Sequence, residues 1–501
     1  MLERDSKKII DKLEIEVLEL KTLVKSFLFE ISFLKQENIE LKKVVKNLTN
    51  KLSLNSQNSS KPPSSDVFVK QTKTLREKGT KKVGGQQGHN GTTLSMVEIP
   101  DFVEFHKLEK CVYCDSNLLN SDVFGIERRQ VFDLPAMCLE VTEHQAELKI
   151  CCSCGKRNKG IFPDRVSAPV QYGSRVKAFC LYFNNFQFIP YDRVSETMEN
   201  LLGVRVNESS IFSYNKELYD NLSLSDTMLK NMILSCDVLN LDETGFYVNT
   251  TRNWLHSYST ENLTYYSHHE KRGQIAMNEI GILPLFSGTG VHDFWKSYFN
   301  YDFTHTLCNS HHLRELNFVS ESEKFDWSNK IKDLLLKIKN TVDEAKFVGH
   351  HNLNIDILNQ YSLSYQSILN DGLLNYPIPE SGKKGKQTKG KNLLDRLINH
   401  KDSVLAFMYN FKIPFDNNQA ERDIRMMKLK QKISGGFRTQ IGADYFCRIR
   451  SFISTAKKHG ENILQQIFLA IENNDYCIFH LISVIPAMSK PSLTVFSSYK
   501  L

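Results

Sequence analysis

The segment "CDVLNLDETGFYV", residues 236–248, has the composition of a β-strand with two adjacent acids in its middle. Its apolar run ends at Asp242, where a carboxylate buried without a partner would cost several kcal/mol. Sheets that combine strands and helices nevertheless build their sites from side chains at strand ends. Because neighbouring side chains of a strand point to opposite faces, Asp242 and Glu243 are not expected to serve one site together.

Two more acids occur in comparable settings further along the chain. Asp293 follows a short apolar run in "GTGVHDFW", and Glu421 lies in "FDNNQAERDIR" on a predicted helix that Asn417 or Asn418 can cap. Each acid also has an ordinary interpretation, such as a turn aspartate or a glutamate paired with Arg425 four residues later. Jointly, three separated carboxylates suit Mg²⁺ or Mn²⁺, which prefer oxygen ligands, rather than zinc.

Such a site would handle phosphate chemistry. Two magnesium ions about 3.5–4 Å apart can activate a nucleophile and hold both oxygens of an in-line phosphoryl displacement. The basic residues that surround or follow Glu421 could contact the same phosphate backbone. The expected DNA-contacting residues are Arg422, Arg425, Lys428, Lys430, Lys432 and Arg438. The basic, glycine-rich stretch at 70–91 could do the same or be a solvated linker.

The first fifty residues carry a heptad repeat. Its d positions are Leu13, Leu20, Phe27, Leu34, Leu41 and Leu48, and its a positions are Ile10, Val17, Val24, Ile31, Asn38, Val45 and Leu52. Mostly β-branched residues at a with mostly leucine at d favour a parallel two-stranded coiled coil, and a buried Asn38 would pair with its own copy. The alternative is a helix packed along the protein's own body. The pattern predicts a homodimer or a higher oligomer.

Two Cys-x-x-Cys pairs, "CVYC" and "CCSC", could each supply two ligands to one tetrahedral zinc ion. The expected ligands are Cys111, Cys114, Cys151 and Cys154. Between the pairs, residues 128–134 and 138–150 alternate in polarity and are predicted to be strands. Buried or reactive thiols are the alternative, and Cys152 or His144 could replace one ligand.

Composition places limits on the class of protein. A chain of 501 residues is expected to form about two to four units. Its 41% hydrophobic and 24% charged content fit a soluble globular protein, and the absence of a run of about 18 apolar residues predicts no membrane span. We therefore expect a cytoplasmic protein. An odd count of eleven cysteines argues against a complete disulfide framework and for reduced thiols or metal.

Secondary-structure patterns change along the chain. Residues 174–233 have a helical pattern with a weak helix-turn-helix signal, in which Gly203 ends one helix. From 236 onward, β-rich segments are followed by a predicted helix over 272–286, a strand at 303–308 and a helix from 310, which indicates an α/β layer. Residues 320–412 are mainly helical, are interrupted by a basic loop and have the character of an insertion.

Several stretches occur in a distinctive order along the chain: "NSSKPPSSD", "GGQQGH", the two Cys-x-x-Cys pairs, "LDETG", "GILPLFSGTGVHDFWKSY", "LCNSHHLREL" and "NNQAERDIRMMKLKQKISGGFRTQIGADYFCRIRSFISTAKKHG". Together they resemble, in the same order, those of the insertion sequence 66 family of bacterial transposases. The resemblance implies a DDE recombinase with a ribonuclease-H-like core and Asp242, Asp293 and Glu421 as catalytic triad. It implies Mg²⁺ or Mn²⁺ at the triad, zinc in an N-terminal DNA-binding half, and element-end and target DNA as partners.

Cys308 and His311 form a Cys-x-x-His pair that resembles a signature of related DDE enzymes. We expect a structural or supporting role for this pair, with metal binding as the alternative. The resemblance also suggests small accessory proteins from the same element and association with the bacterial nucleoid. Two other functions are alternatives. One is an inactive, zinc-containing DNA-binding protein derived from such a transposase, and the other is a structural dimeric adaptor.

The expected architecture is therefore a multidomain α+β protein. Its predicted parts are a coiled-coil dimerisation helix (1–54), a Pro/Ser and basic Gly-rich linker (55–100), a zinc-binding β module (101–168), a helical DNA-binding region (169–232), an α/β ribonuclease-H-like catalytic domain (233–465) with a helical insertion (320–412), and a C-terminal tail (466–501).

Overall fold

The computed structural model describes residues 2–52, 94–134, 137–376 and 387–477. The basic stretch at 70–91 and much of the predicted tail lie outside these residues. Two units are present. One comprises Met1–Lys70, Tyr172–Tyr191 and Ser209–Leu501, and the other comprises Gln71–Gln171 and Asp192–Glu208. In the described part of the chain, no helix combines the length and apolar character needed to cross a membrane.

The chain begins with one long helix, α1 (Leu2–Leu52). Its sequence contains neither glycine nor proline, so nothing interrupts the helix. Wherever α1 side chains are described, the residues of both heptad rows are exposed; Leu20 and Leu41, for example, are each 59% exposed. A single chain therefore leaves the apolar stripe of α1 in contact with water.

Apart from one helix at 191–202, the described part of the smaller unit has little regular structure. Two short strands, β1 (Leu148–Ile150) and β2 (Arg157–Lys159), form an antiparallel pair. The prediction of strands over 128–134 and through 138–147 is wrong, because among the described residues these segments pair with no strand and Val131 is 91% exposed. Alternating polarity favours a strand only where a neighbouring ladder and a buried face complete it.

After α1, four α-helices of the described chain precede the central sheet; three belong to the larger unit, and the one at 191–202 lies almost wholly in the smaller unit. Helix α2 (Ser174–Leu181) continues as a π-helical turn at Tyr182–Phe186. The following helices are α3 (Tyr191–Leu202), which stops before Gly203 at φ +71°, α4 (Glu208–Asn221) and α5 (Ser223–Leu234). Helices α2 and α4 share an apolar core with two helices from much later in the chain, α13 (Gln440–Lys458) and α14 (Ile463–Glu472).

Five strands form the central sheet, which is mixed. They are β3 (Val238–Val248), β4 (Thr251–Ser259), β5 (Thr264–His269), β6 (Thr289–His292) and β7 (Thr304–Leu307), in the order β5-β4-β3-β6-β7. Strands β3, β4 and β5 are antiparallel, whereas β6 and β7 run parallel to β3. Asn249 and Thr250 both have positive φ and form the tight turn between β3 and β4.

The crossover between β5 and β6 differs from its predicted form. Helix α6 spans only Gln274–Ile280, although the sequence predicts a helix over 272–286. Gly281 adopts a left-handed conformation, φ +68°, which ends the helix, and Pro284 follows. A 3₁₀-helix at Lys296–Asn300 lies between β6 and β7.

The remaining helices follow β7. They are α7 (Asn309–Ser322), α8 (Asp326–Phe347), α9 (Ile355–Leu373), α10 (Lys389–Asn399), α11 (Lys401–Tyr409) and α12 (Asn418–Ser434). Helices α7 to α11 share one large apolar core. Helix α12 instead packs Ile424 and Met427 against Phe246 and Leu255 of the sheet. After the helices α7 to α11, the chain therefore packs again on β3 and β4 through α12.

Gly288 enters β6 at a position where no side chain fits. A Cβ there would lie 2.7 Å from the Cys236 carbonyl oxygen and 2.9 Å from that of Asp237. We expect Gly288→Ala to lower the free energy of unfolding by about 1–3 kcal/mol, because backbone must move to relieve the clash. Urea denaturation of the full chain measures this. Ser287→Ala, at an exposed neighbour, is the control and should change stability little; equal stability of both variants would contradict the packing described here.

Candidate active site

The register between two parallel strands places the two predicted aspartates at the same height along the sheet. Asn240 of β3 pairs with Val291 of β6, so Asp242 and Asp293 each lie two residues beyond that pair. His292 pairs with Leu307 of β7, which places Cys308 level with Asp293. Asp242 is not at a strand end as predicted, since β3 continues to Val248 along β4. It lies instead where the parallel neighbour β6 ends.

Asn417 fixes the start of α12 to the sheet. Its side-chain amide donates to the Leu241 carbonyl at 2.7 Å and accepts from the Asn240 amide at 2.8 Å. Its backbone N–H donates to Cys308 Sγ at 3.1 Å. Asn417 does occupy the N-cap position, but its side chain bonds to β3 and makes no helix cap. The first turn of α12, which carries Glu421, is therefore held beside Asp242.

Glu421 is surrounded by nitrogen donors. Its Oε1 accepts from Arg314 Nη2 at 3.1 Å and lies 3.8 Å from His311 Nε2, and its Oε2 lies 3.8 Å from Arg425 Nη2. Within the described ranges, the group of potential metal ligands whose atoms all lie within 4.8 Å of one another comprises Cys308, His311 and Glu421. The Asp242, Asp293 and Glu421 carboxylates do not all reach that spacing.

Asp242 is half-buried among other acids. Loss of solvation raises its pKa well above the usual value, and the negative charges of Glu243, Asp293 and Glu421 raise it further. One hydrogen bond, from the Glu243 backbone N–H at 2.8 Å, favours the charged form of Asp242. A cation bound among these oxygens would reverse the unfavourable charge. The donor set therefore fits a hard divalent ion such as Mg²⁺ or Mn²⁺.

Glu243 already has its own partners, as expected for a residue that alternates with Asp242 along a strand. Arg272 donates to Glu243 Oε1 through Nε at 2.9 Å and also through Nη2, and the Tyr298 hydroxyl donates to Oε2. Burial and the charge of Asp293 raise the pKa of Glu243, whereas Arg272 lowers it. These contacts account for both carboxylate oxygens, so Glu243 is not a free ligand.

Arginine side chains and tryptophan rings alternate next to Glu243, beginning at its partner Arg272. The Arg272 guanidinium lies 4.2 Å from the Trp295 ring centroid and 4.9 Å from that of Trp254, which also carries Arg252 at 4.4 Å. The Trp295 backbone N–H donates to Asp293 Oδ1 at 3.0 Å. The sequence analysis missed these residues because they come from separate strands and loops, and no spacing pattern connects them.

The predicted DNA-contacting residues on and after α12 differ in their settings. Arg422, Lys432 and Arg438 are exposed, and Arg425 is 67% exposed despite its contact with Glu421. The Lys428 ammonium group donates to the Gly245 carbonyl of β3 at 2.6 Å. Lys430 is half-buried, and burial lowers its pKa to about 8, so it is less suited than the others to a solvated phosphate.

The two Cys-x-x-Cys pairs adopt the same turn. The N–H of Cys111 donates to the carbonyl five residues ahead, and its carbonyl accepts from the N–H of Asp115. Cys151 and Gly155 repeat this pattern, and Asp115 and Gly155 both have positive φ. Hydrogen bonds from neighbouring groups lower the pKa of Cys114 and of Cys151. The described structure forms each pair but does not gather all four sulfur atoms to metal-ligand spacing.

Comparison with known families matches two parts of the chain. The family described as "Transposase IS66 family" matches residues 169–445, more than half of the chain. The chain belongs to the IS66 family of transposases. A family of unknown function (DUF6444) matches residues 3–95. No curated protein matches the chain.

The IS66 match includes the whole central sheet, α12 and all three predicted acids. It also includes Cys308 and His311. The four cysteines of the predicted zinc module lie between the two matched ranges. Family membership therefore supports the assignment of the acids more directly than that of the cysteines.

Removing the Asn417 side chain should weaken the attachment of α12. Asn417→Ala leaves the buried Leu241 carbonyl and Asn240 amide without these partners, which costs about 1–3 kcal/mol of unfolding free energy. Chemical denaturation measures the loss. Asn231→Ala, on an exposed face of α5, is the matched control and should be within about 0.5 kcal/mol of the parent. Similar values for the two variants would show that this contact does not hold α12.

Proposed function

We propose that this IS66-family protein is a DNA transposase whose Asp242, Asp293 and Glu421 support divalent-metal-dependent strand cleavage and strand transfer. The observation that carries the proposal is the common level of Asp242 and Asp293 on adjacent parallel strands, with Glu421 brought beside them by α12. We infer a ribonuclease-H-like core from the strand order β5-β4-β3-β6-β7, with the helices between β7 and α12 as an insertion.

In this proposal the acidic residues hold the metal ions and the basic residues hold the DNA. Bound Mg²⁺ would lower the pKa of an attacking water or 3′-hydroxyl and stabilise the leaving oxygen. Asp242 and Asp293 would hold the ions from one side and Glu421 from the other. Exposed Arg422, Arg425, Lys432 and Arg438 would contact phosphates of the terminal inverted repeat or of target DNA.

Glu421 needs a change of partner to take part. In this structure Arg314 and His311 lie against its carboxylate, and the three acids are not gathered to ligand spacing. We propose that binding of the ion and of DNA draws Glu421 towards Asp242 and Asp293 while Arg314 turns to a phosphate. Glu421 lies on α12 and not on a strand, so its movement would leave the pairing of the sheet unchanged.

Replacement of the acids tests the catalytic assignment. Asp242→Asn, Asp293→Asn or Glu421→Gln should each reduce Mg²⁺-dependent cleavage of element-end DNA by at least about 1,000-fold, a loss of transition-state stabilisation of roughly 4 kcal/mol. End binding, measured by gel shift, should change little because the basic residues remain.

Asp302→Asn is the control for these variants, since Asp302 is exposed and lies in the same sheet region. Its cleavage rate should equal that of the parent. Cleavage that persists in Asp242→Asn or Glu421→Gln would reject the triad. Binding of end DNA without any cleavage by the parent protein would instead favour an inactive DNA-binding descendant, which the present contact between Arg314 and Glu421 would also suit.

We further propose that α1 forms a parallel coiled-coil dimer. Support comes from the exposed heptad rows, whose burial needs a second helix, and from Asn38 at an a position. Ile31→Glu places a charge in the seam and should convert the full chain to monomer at micromolar concentration in sedimentation analysis. Gln36→Glu adds the same charge outside both rows and should leave the oligomer intact; loss of the oligomer in both variants would indicate a general charge effect.

The paired cysteine turns support a proposed structural zinc site. Their shared geometry and the lowered pKa values of Cys114 and Cys151 suit metal-bound thiolates. Metal analysis of the doubly substituted chain Cys111→Ser/Cys154→Ser should find about one zinc ion fewer per chain than in the parent. Cys138→Ser, an exposed cysteine outside both pairs, is the control. Unchanged zinc content in the double variant would reject the site.

A further inference from the structure

The Cys308, His311 and Glu421 side chains form a cluster with mixed ligand chemistry. One sulfur, one imidazole nitrogen and one carboxylate oxygen lie within 4.8 Å of one another. Cys308 is the N-cap residue of α7, and His311 lies three residues later in its first turn, so both project from the same helix end. Glu421 approaches from the first turn of α12.

This donor set differs from that of the acid site. Thiolate and imidazole ligands favour Zn²⁺ and similar transition ions, whereas Mg²⁺ and Mn²⁺ favour oxygen. Three protein ligands with a fourth position left for water is the arrangement that zinc adopts at open sites. The cluster could thus bind an ion that the three carboxylates would not select.

Two independent observations indicate that the cluster is prepared for a ligand. His311 Nδ1 is buried and has no hydrogen-bond partner within the described structure. Buried polar atoms are almost always satisfied, so the His311 ring is short of one partner. Its other nitrogen, Nε2, lies 3.8 Å from Glu421 Oε1. In addition, Cys308 Sγ accepts the backbone N–H of Asn417 at 3.1 Å, a contact that stabilises negative charge on sulfur.

Protons compete with a metal ion for the Cys308 sulfur and the His311 ring nitrogens. Burial raises the pKa of Cys308 to about 12, although N–H groups of Asn417 and His311 act in the opposite direction. Burial and the Arg314 charge lower the pKa of His311, while the charges of Glu421 and Asp293 act in the opposite direction. A divalent ion deprotonates a thiol that it ligates, releasing one proton to solvent.

We propose that Cys308, His311 and Glu421 form a second metal site, selective for Zn²⁺-class ions, that withdraws Glu421 from the catalytic carboxylates. The proposal rests on the role given to Glu421 in the proposed function. A zinc ion held by Cys308 and His311 would displace Arg314 and fix the Glu421 carboxylate on the α7 side. The transposase would then be inhibited by zinc through the same glutamate that magnesium requires.

Cobalt binding by the full chain tests the site without reference to activity. Co²⁺ replaces zinc, and its thiolate complexes absorb in the near ultraviolet and visible. Cys308→Ser and His311→Gln should each weaken binding of one equivalent of Co²⁺ by about 100-fold or more, at least the effect of losing a supporting residue. Cys236→Ser, a half-buried cysteine of the same unit, should bind as the parent does. Two variants at the site guard against misfolding of either.

A second arm measures zinc inhibition of Mg²⁺-dependent cleavage by the parent protein. Inhibition that is relieved by excess Mg²⁺ is expected. Equal Co²⁺ stoichiometry and spectra in the parent, Cys308→Ser and His311→Gln would overturn the proposal even if cleavage is normal. Site-dependent Co²⁺ binding in a protein that never cleaves DNA would instead preserve the metal site and reject the transposase mechanism.

Discussion

The parallel pairing of β3 with β6 is the constraint on which the candidate active site depends. Its register places Asp242 and Asp293 at one level and on one face. A shift of one residue would turn Asp242 to the opposite face and bring Glu243 in its place. The register is secured because Glu243 has fixed partners of its own in Arg272 and Tyr298. Buried Glu243, held by a partly exposed arginine and a buried hydroxyl on one face, thus leaves Asp242 for the other face.

The third acid depends on a different contact. Between β7 and α12 the chain builds a separate helical core, so nothing in the local sequence around Glu421 fixes where its helix will lie. Asn417 sets the position of α12, because it forms hydrogen bonds to two consecutive residues of β3 and to Cys308 after β7. Apolar packing of Ile424 and Met427 on the sheet secures the rest of the helix. A single polar side chain and one apolar face therefore complete the site.

Electrostatics explain why this arrangement suits metal-dependent chemistry. Half-buried Asp242 is surrounded by negative charge, while Glu421 is surrounded by positive charge and by two potential ligands of another kind. An ion at the carboxylates would relieve the first imbalance and compete with Arg314 for Glu421. Under the two proposals, the same glutamate would be drawn in either of two directions, and the metal present would decide between them. This coupling links the proposed catalytic role and the proposed inhibitory site.

Local pattern was enough to predict much of this protein. Heptads predicted α1, apolar runs predicted β3 and β7, and family motifs singled out Asp242, Asp293 and Glu421, because these signals depend on near neighbours in the chain. The sequence did not predict that Asn417 bonds to β3, that Arg272 stacks between two tryptophans, or that Glu421 lies beside Cys308 and His311. It also predicted strands over 128–134 and 138–147, where the described residues form none. Those outcomes depend on which distant segments meet, and only the folded chain brings such segments within contact distance.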